Sequence, residues 1–169
     1  MIFPEKVINP EDGLPEELFL RISSMMPIPN VDLFILNEKG ELLLTWREDE
    51  YFGKGWHLPG GCIRFRETMI ERVHKTAQNE LGCDVRVDQE PIAIRDVIVN
   101  EYRDTLKDQD IRAHHLAVLY CCYPEVSWDE FSAGIKAESG WFSRIPDNIL
   151  DVHNVYNDVF FKYGLMDSL

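Results

Sequence analysis

Residues 56–83 read WHLPGGCIRFRETMIERVHKTAQNELGC and decide the fold. The glycine pair Gly60 and Gly61 opens the stretch after a proline, and glycine permits a sharp turn and a close approach to a ligand. Apolar side chains then recur at steps of three and four, which predicts an amphipathic helix over residues 67–81. Gly82 supplies the C-terminal stop of this helix. The stretch is therefore a loop, a helix and a second loop.

Carboxylates stand at both ends of this helix. Glu67 follows Gly61 by six residues, and Glu80 stands where the helix ends, so that its carboxylate can face the preceding loop. Mg²⁺ prefers oxygen ligands and keeps waters and substrate phosphates in its shell. We therefore expect one Mg²⁺ ion, with Mn²⁺ as a possible substitute. Its ligands would be Glu80 and a backbone carbonyl of Gly60 or Gly61, with Gly60 preferred.

Composition and charge restrict the class of protein. The 169 residues suit one domain over the whole chain, with an irregular lead-in over residues 1–13. A net charge of −13 argues against a nucleic-acid partner, because such binders carry a basic footprint. The four cysteines show no CxxC spacing, which argues against disulfides and zinc. No apolar run reaches the roughly 18–20 residues of a membrane span, so we expect a cytoplasmic protein with no membrane partner.

The rest of the chain alternates helical and strand-like patterns. The predicted helices cover residues 14–25, 67–81 and 151–163. The predicted strands cover residues 31–36, 41–47, 84–99, 114–123 and 140–142, with the first two joined as a hairpin. Polar loops are predicted over residues 48–55 and 100–110, and a connecting segment over 126–138. One α/β domain with a small mixed sheet flanked by helices accounts for this order.

Four positions of the opening stretch carry a family resemblance. Gly61, Glu67, Glu80 and Gly82 fall at the spacing of the Nudix box, which marks hydrolases of nucleoside diphosphates linked to another group. The chain is thereby identified as similar to the Nudix superfamily. The resemblance implies the Nudix-type α/β/α sandwich.

Departures from the usual box narrow the resemblance. Lys75 stands where the box has arginine, and Thr76 and Asn79 stand where it has acidic residues. A box thinned in this way is similar to that of the GDP-mannose mannosyl hydrolases, a Nudix branch that keeps only the last glutamate of the cluster. The similarity covers roughly residues 15–165.

This branch implies a reaction and a set of residues. The reaction is Mg²⁺-dependent hydrolysis of a nucleoside-diphosphate sugar, preferably GDP-mannose or a related GDP-hexose, at the anomeric carbon. Arg47 and Lys75 would hold the diphosphate, because cationic side chains match phosphate oxygens. Asp32 is a candidate for contact with a sugar hydroxyl and His115 for contact with the substrate, with a purely structural role as the alternative for each. The branch forms homodimers, which implies the same association here.

The base that activates water has a less direct assignment. The branch carries a glutamine and a histidine in the loop before the tryptophan, where this chain has Ile135 and Lys136. Glu138 is the acidic side chain of that loop, and we predict it as base or metal ligand. Two other functions stay open. One is cleavage at phosphorus in another nucleotide derivative, and the other is binding of a nucleotide sugar without turnover.

Overall fold

The computed structural model describes residues 9–99, 111–135 and 137–167. The α-helices in this part of the chain are α1 (Glu16–Ser23), α2 (Met69–Thr76), α3 (Trp128–Gly134) and α4 (Asn157–Lys162). The strands are β1 (Ile28–Phe34), β2 (Leu42–Asp49), β3 (Gly53–His57), β4 (Gly60–Cys62), β5 (Val85–Val87), β6 (Ala93–Ile98), β7 (His114–Pro124) and β8 (Ser139–Phe142). A π-helix (Ala77–Leu81) extends α2, and 3-10 helices cover Pro10–Asp12 and Asp151–Tyr156. The loop predicted over residues 100–110 lies outside the described residues.

The strands form two sheets. In the larger sheet, β1 lies between β4, to which it is antiparallel, and β7, to which it is parallel. Strands β5 and β6 pair with β7 in antiparallel orientation. In the smaller sheet, β2 lies between β3 and β8 and is antiparallel to both. The parallel β1–β7 pair makes the larger sheet mixed, as the sequence predicts.

Both faces of the larger sheet are covered by helical segments. Leu33 of β1 packs in one apolar cluster with Val73 of α2 and Leu81 of the π-helix. Phe34, the next residue, points to the opposite face and packs in a second cluster with Phe160 of α4. Successive strand residues point to opposite faces, so a strand buried on both sides needs consecutive apolar residues. The predicted α/β/α layering is confirmed.

The predicted hairpin between the first two strands is confirmed only beside its turn, where Leu36 and Leu42 form an antiparallel bridge. The turn at residues 37–40 returns the chain, and the N–H of Leu43 bonds the carbonyl of Ile35 at 2.9 Å. Pairing stops there, because β4 and β7 occupy the two edges of β1. Strand β2 instead pairs with β3 through a tight return, so much of the loop predicted over residues 48–55 is strand.

The helix that follows the glycine pair begins and ends by local chemistry. Thr68 and Glu71 form a capping box, in which each side chain accepts a backbone N–H of the other, so α2 begins at Met69 rather than at residue 67. The last turn widens into the π-helix, a form frequent at functional sites. Gly82, with φ of 75°, ends the helix as predicted.

The C-terminal segment is bonded to β3. The N–H of Trp56 donates to the carbonyl of Asn148 at 3.0 Å, and the N–H of Leu150 donates to the carbonyl of Trp56 at 2.8 Å. The helix predicted over residues 151–163 divides into the second 3-10 helix and α4. Among the described residues, no helix has the length and apolar character needed to cross a membrane.

Candidate active site

A cavity of about 490 Å³ opens between residues of both sheets, the π-helix and the C-terminal 3-10 helix. Five of the residues predicted for the site line this cavity, although they are scattered over more than 80 positions of sequence. They are Asp32, Arg47, Gly60, Glu80 and His115. The fold therefore brings together the predicted metal, diphosphate and sugar residues.

Strand pairing directs the backbone of Gly60 toward Glu80. The N–H of Leu33 bonds the carbonyl of Pro59 at 2.8 Å, and alternation along an antiparallel pair then leaves the N–H and carbonyl of Gly60 pointing away from β1. On that side the N–H of Gly60 interacts with the Glu80 carboxylate. The Gly60 carbonyl leaves the strand on the same side, so an oxygen of the backbone and an oxygen of Glu80 border the same space.

Glu80 is an acidic group with little water around it. Burial raises its pKa from 4.5 to about 7, while the charge of Arg47 and the N–H of Gly60 act to lower it. The carboxylate of Asp32 acts in the opposite direction and raises the pKa further. A cation beside Glu80 would favour its ionised form.

The glycine at position 60 has no room for a side chain. A Cβ atom there would lie 2.5 Å from Oδ1 of Asp32 and 2.9 Å from the carbonyl oxygen of Val31. At position 61, a Cβ atom would lie 2.7 Å from Oγ1 of Thr76, a buried hydroxyl with no hydrogen-bond partner in the described part of the chain. The bend therefore packs its bare backbone against oxygen atoms on both sides.

The oxygen donors fit one Mg²⁺ ion that shares its shell with substrate. Among the described residues, no group of three or more His, Cys, Asp and Glu side chains is arranged to hold a metal. Mg²⁺ commonly binds through one or two carboxylates and completes its shell with water and substrate phosphates. Glu80 and the Gly60 carbonyl match that pattern, and they do not match a multi-metal cluster.

Asp32 is a buried acid at the far side of Gly60. The hydroxyl of Tyr156 donates to its Oδ2 at 2.8 Å, and Nδ2 of Asn30 donates to its Oδ1 at 3.1 Å. Burial raises its pKa from 3.8 to about 7, although these two bonds and the charge of Arg47 act to lower it. Asp32 therefore changes its protonation state near neutral pH.

Arg47 presents part of its guanidinium group to the cavity. Its Nε atom forms an ion pair with Asp49, two residues further along β2. The guanidinium carbon lies 5.0 Å from the centre of the Phe52 ring, which holds the side chain in place. The terminal nitrogens form no ion pair with a described residue, so they are available to an anionic ligand.

Arg112 is a second cavity cation that sequence reasoning missed. Its guanidinium carbon lies 4.9 to 5.5 Å from the ring centres of Phe19, Tyr51 and Phe52. No carboxylate among the described residues pairs with it, and burial together with the charge of Arg47 lowers its pKa. The residue has φ of 57°, and no motif or spacing in the sequence marks it.

His115 is buried and is within range of both cationic charges. The neighbouring His114 is half-buried, since successive residues of β7 point to opposite faces. Burial lowers the pKa of His115 to about 4, and the charges of Arg112 and Arg47 add to the effect. The imidazole is therefore neutral at neutral pH, the form that can exchange hydrogen bonds with hydroxyl groups.

Lys75 lies outside the residues that line the cavity. Its Nζ atom is 2.9 Å from Oε1 of Glu67, and the side chain is exposed. Glu67 is buried, and its other oxygen accepts bonds from Arg72 at 2.6 Å and from the N–H of Arg64 at 2.9 Å. Glu67 and Lys75 thus brace the loop after β4.

Glu138, the predicted base, is exposed and does not line the cavity. Its backbone carbonyl accepts the N–H of Trp46 at 2.7 Å, and its neighbour Ala137 reaches the cavity wall instead. The placement of the side chain therefore gives the assignment of Glu138 as base no support.

Two more histidines line the cavity and were not assigned a role from the sequence. His57 ends β3, and Nε2 of His153 accepts the N–H of Leu58 at 3.2 Å. Burial lowers the pKa of His57 to about 4 and that of His153 to about 3. His57 is marked in sequence only by its position three residues before Gly60.

Comparisons with known proteins agree with this fold. The family model described as NUDIX domain matches residues 26–144. The low-salt glycan biosynthesis protein Agl8 of Haloferax volcanii is 34% identical over 80 residues, which are 47% of this chain and 51% of that protein. The chain thus spans about half the length of the curated relative that it matches.

Solved structures show the same architecture at lower identity. The MutT protein of Methanosarcina mazei Go1 aligns with a TM-score of 0.61 at 20% identity, over 82% of this chain and 94% of that chain. The MutT NUDIX hydrolase of Burkholderia pseudomallei aligns with a TM-score of 0.56 at 20% identity, over 79% of this chain and 97% of that chain. At this level of identity the likeness concerns the fold.

Proposed function

Because the chain belongs to the NUDIX domain family, we propose that it is a hydrolase of a nucleoside-diphosphate sugar. The bond cleaved is the one between the anomeric carbon and the diphosphate, and the products are free sugar and nucleoside diphosphate. A GDP-hexose such as GDP-mannose is the favoured substrate. One observation carries the proposal: a single cavity joins two arginines, the carboxylate of Glu80 and a set of buried polar groups.

The arginines supply the diphosphate end of the cavity. Arg47 and Arg112 are both close enough to lower the pKa of His115. Among the described residues, Asp49 pairs with Arg47, and no carboxylate pairs with Arg112. A guanidinium group binds phosphate oxygens through two parallel hydrogen bonds. In a chain with a net charge of −13, two guanidinium groups on one cavity wall supply the charge-assisted hydrogen bonds that an anionic ligand needs.

Glu80 and the Gly60 carbonyl would hold a divalent cation beside the diphosphate. Bound there, Mg²⁺ supplies electrostatic stabilisation of the negative charge that the leaving diphosphate gains. The residues of the chain bind and orient the substrate around that charge. Lys75 is directed to Glu67 and lies outside the cavity lining, so in this proposal it supports the loop rather than contacting the diphosphate.

The buried polar groups would hold the sugar. Asp32 and His115 line the cavity, and Tyr156 fixes the orientation of Asp32 through its 2.8 Å bond. A pKa of about 7 lets Asp32 accept a hydrogen bond as a carboxylate or donate one as an acid. A sugar hydroxyl is a suitable partner for either form. The role of the Haloferax volcanii relative in glycan biosynthesis also supports a substrate that carries a sugar.

The lack of a metal-holding carboxylate cluster among the described residues favours cleavage at carbon. Hydrolysis at phosphorus relies on several carboxylates for metals and base, and no metal cluster of three such side chains is present among the described residues. Departure of a diphosphate from the anomeric carbon requires charge stabilisation on the leaving group and one activated water. The cavity offers the groups for the first requirement in Arg47, Arg112 and the cation site.

A product assay in labelled water tests the proposal. The protein is incubated with GDP-mannose and other nucleotide sugars in H₂¹⁸O with Mg²⁺. We expect free sugar that carries one ¹⁸O atom, together with unlabelled nucleoside diphosphate. Sugar phosphate and nucleoside monophosphate, with the label on phosphorus, would instead establish the diphosphate-cleaving alternative. Binding without any product would establish the non-catalytic alternative. Sedimentation of the same protein tests the homodimer, which we propose from family resemblance.

A further inference from the structure

His57 occupies the cavity wall in a defined protonation state. Its Nδ1 atom lies 2.8 Å from the backbone carbonyl oxygen of Thr45 and 3.1 Å from the Thr45 hydroxyl. A carbonyl oxygen only accepts hydrogen bonds, so Nδ1 carries the hydrogen of the neutral ring. The lone pair therefore lies on Nε2.

Nε2 of His57 is accessible and unpartnered. No described residue forms a hydrogen bond with this nitrogen, and the atom is not fully buried. The residue lines the cavity, so a water molecule or ligand in the cavity is the partner available to this nitrogen. The opposite arrangement holds for His153, whose Nε2 is occupied by the N–H of Leu58.

The surroundings keep the ring uncharged. Burial lowers its pKa to about 4, and the charge of Arg47 acts in the same direction, against the carbonyl of Thr45 and the charge of Asp49. Within the described part of the chain, the His153 ring also faces it, with 6.4 Å between the ring centres. Neutral imidazole is the form that can accept a proton at neutral pH.

The ring is also near the predicted position of the diphosphate. Thr45 and Arg47 are two residues apart on β2, so they lie on the same face and are separated by about 7 Å along the strand. In the antiparallel pairing of β2 and β3, His57 lies opposite Thr45, and Arg47 is the next residue of β2 on the same face. A sugar attached to a diphosphate on Arg47 can therefore be approached from the His57 side.

We propose that Nε2 of His57 is the general base of the hydrolysis. The inference rests on the proposed function. Nε2 takes a proton from a water molecule while the water oxygen forms a bond to the anomeric carbon. The bond from that carbon to the diphosphate oxygen breaks, and its electron pair leaves with the diphosphate. The protonated ring then releases its proton to solvent. This role replaces the one predicted for Glu138.

Substrate binding prepares the base. Anionic diphosphate on Arg47 offsets one of the charges that lower the pKa of His57, so the pKa rises when the substrate is bound. A base is most effective when its pKa approaches the working pH. The free protein therefore holds a weaker base than the complex.

The kinetic test compares His57→Gln with a matched control, His114→Gln. His114 is half-buried, faces Asp96 at 3.5 Å and does not line the cavity. We expect kcat of the His57 variant to fall by about 10²- to 10⁴-fold, with nucleoside diphosphate affinity unchanged, and the control to retain full activity. Imidazole added to His57→Ala should restore part of kcat. A His57 variant that binds nucleotide and keeps kcat within threefold of the natural protein would overturn the inference.

Nitrogen NMR of the His57 ring tests the same point without turnover. We expect a hydrogen on Nδ1, a free lone pair on Nε2 and an upward shift of the pKa when GDP and Mg²⁺ are added. A hydrogen on Nε2 in the neutral ring, or a pKa unmoved by GDP, would overturn the inference. If no nucleotide sugar is hydrolysed while the ring behaves as expected, it is the proposed substrate that fails.

Discussion

The hydroxyl of Tyr156 donates a 2.8 Å hydrogen bond to the buried carboxylate of Asp32, across 124 positions of sequence. This bond joins the first strand of the larger sheet to the C-terminal 3-10 helix. The same helix carries His153, which bonds the backbone between β3 and β4. The C-terminal segment is therefore part of the cavity wall, and the state of Asp32 depends on it.

Asp32→Asn should change how stability depends on pH. Burial raises the pKa of Asp32 from 3.8 to about 7, so the folded state keeps a proton that the unfolded state has released between those values. The contribution of Asp32 to the free energy of unfolding is therefore fully present below pH 4 and is lost as the pH rises to about 7. Three pKa units correspond to at most roughly 4 kcal/mol. The asparagine variant should therefore gain stability relative to the natural protein between pH 4.5 and pH 8.

Urea unfolding of metal-free protein at those two pH values measures this change. The histidines His57, His115 and His153 are present in both proteins, so their contributions cancel in the comparison. Loss of the Asp32 charge also lowers the pKa of Glu80, which adds to the expected gain. Parallel stability curves for the two proteins would contradict the prediction.

Glu80→Gln should remove metal-dependent binding. The substitution keeps the size of the side chain and its contact with the Gly60 N–H but removes the charge that a divalent cation needs. We expect Mn²⁺ affinity in the presence of GDP to fall by about 100-fold or more, since even supporting residues around a metal contribute 10- to 100-fold. Calorimetric titration measures it. Glu130→Gln, on the exposed surface of α3, is the control and should bind as the natural protein does. Equal affinity in both variants would exclude Glu80 as a ligand.

Arg112→Met should weaken diphosphate binding while leaving the fold intact. Methionine keeps apolar contact with Phe19, Tyr51 and Phe52 but lacks the charge. A hydrogen bond to a charged group contributes about 1.5–3 kcal/mol, which corresponds to a 10- to 100-fold loss in affinity for GDP. The loss should shrink as salt concentration rises, because charge attraction is screened. Unchanged affinity with an unchanged melting temperature would remove Arg112 from the site.

Glu67→Gln should destabilise the fold rather than impair chemistry directly. Glu67 and Arg72 form an ion pair at 2.6 Å with side chains only 4% and 6% exposed. Removing one charge of a buried pair leaves the other uncompensated and costs about 3–5 kcal/mol. Lys75→Met removes the exposed partner of the same carboxylate and should cost less than about 1 kcal/mol. Urea unfolding compares the two variants, and equal costs would contradict the contrast.

The parts of the site that were predictable from sequence are local. The spacing from Gly60 to Glu80 is read within one loop and one helix, and the structure places both residues on the same cavity. The helix was predicted to begin at residue 67, but the capping box of Thr68 and Glu71 makes α2 begin at Met69.

The parts that were missed depend on contacts between distant elements. Arg112 owes its position to rings from α1 and from the turn after β2, and Tyr156 reaches Asp32 only because the C-terminal segment folds back along β3. The predicted hairpin extends no further than the rungs beside its turn for a similar reason, since β4 and β7 occupy the edges of β1. A periodic pattern describes an element and carries no information about its neighbours.

The π-helical turn Ala77–Leu81 has a consequence for how the chain tolerates length changes. Each residue of an α-helix advances the side-chain direction by about 100°, so removal of one residue from this turn would swing Glu80 around the axis by more than a quarter of a revolution. The Glu80 carboxylate would then point toward the protein interior or toward bulk water instead of toward Gly60 and Gly61. The register of this single wide turn thus sets the direction of the Glu80 side chain. A one-residue deletion there should impair function more than most substitutions on the same helix.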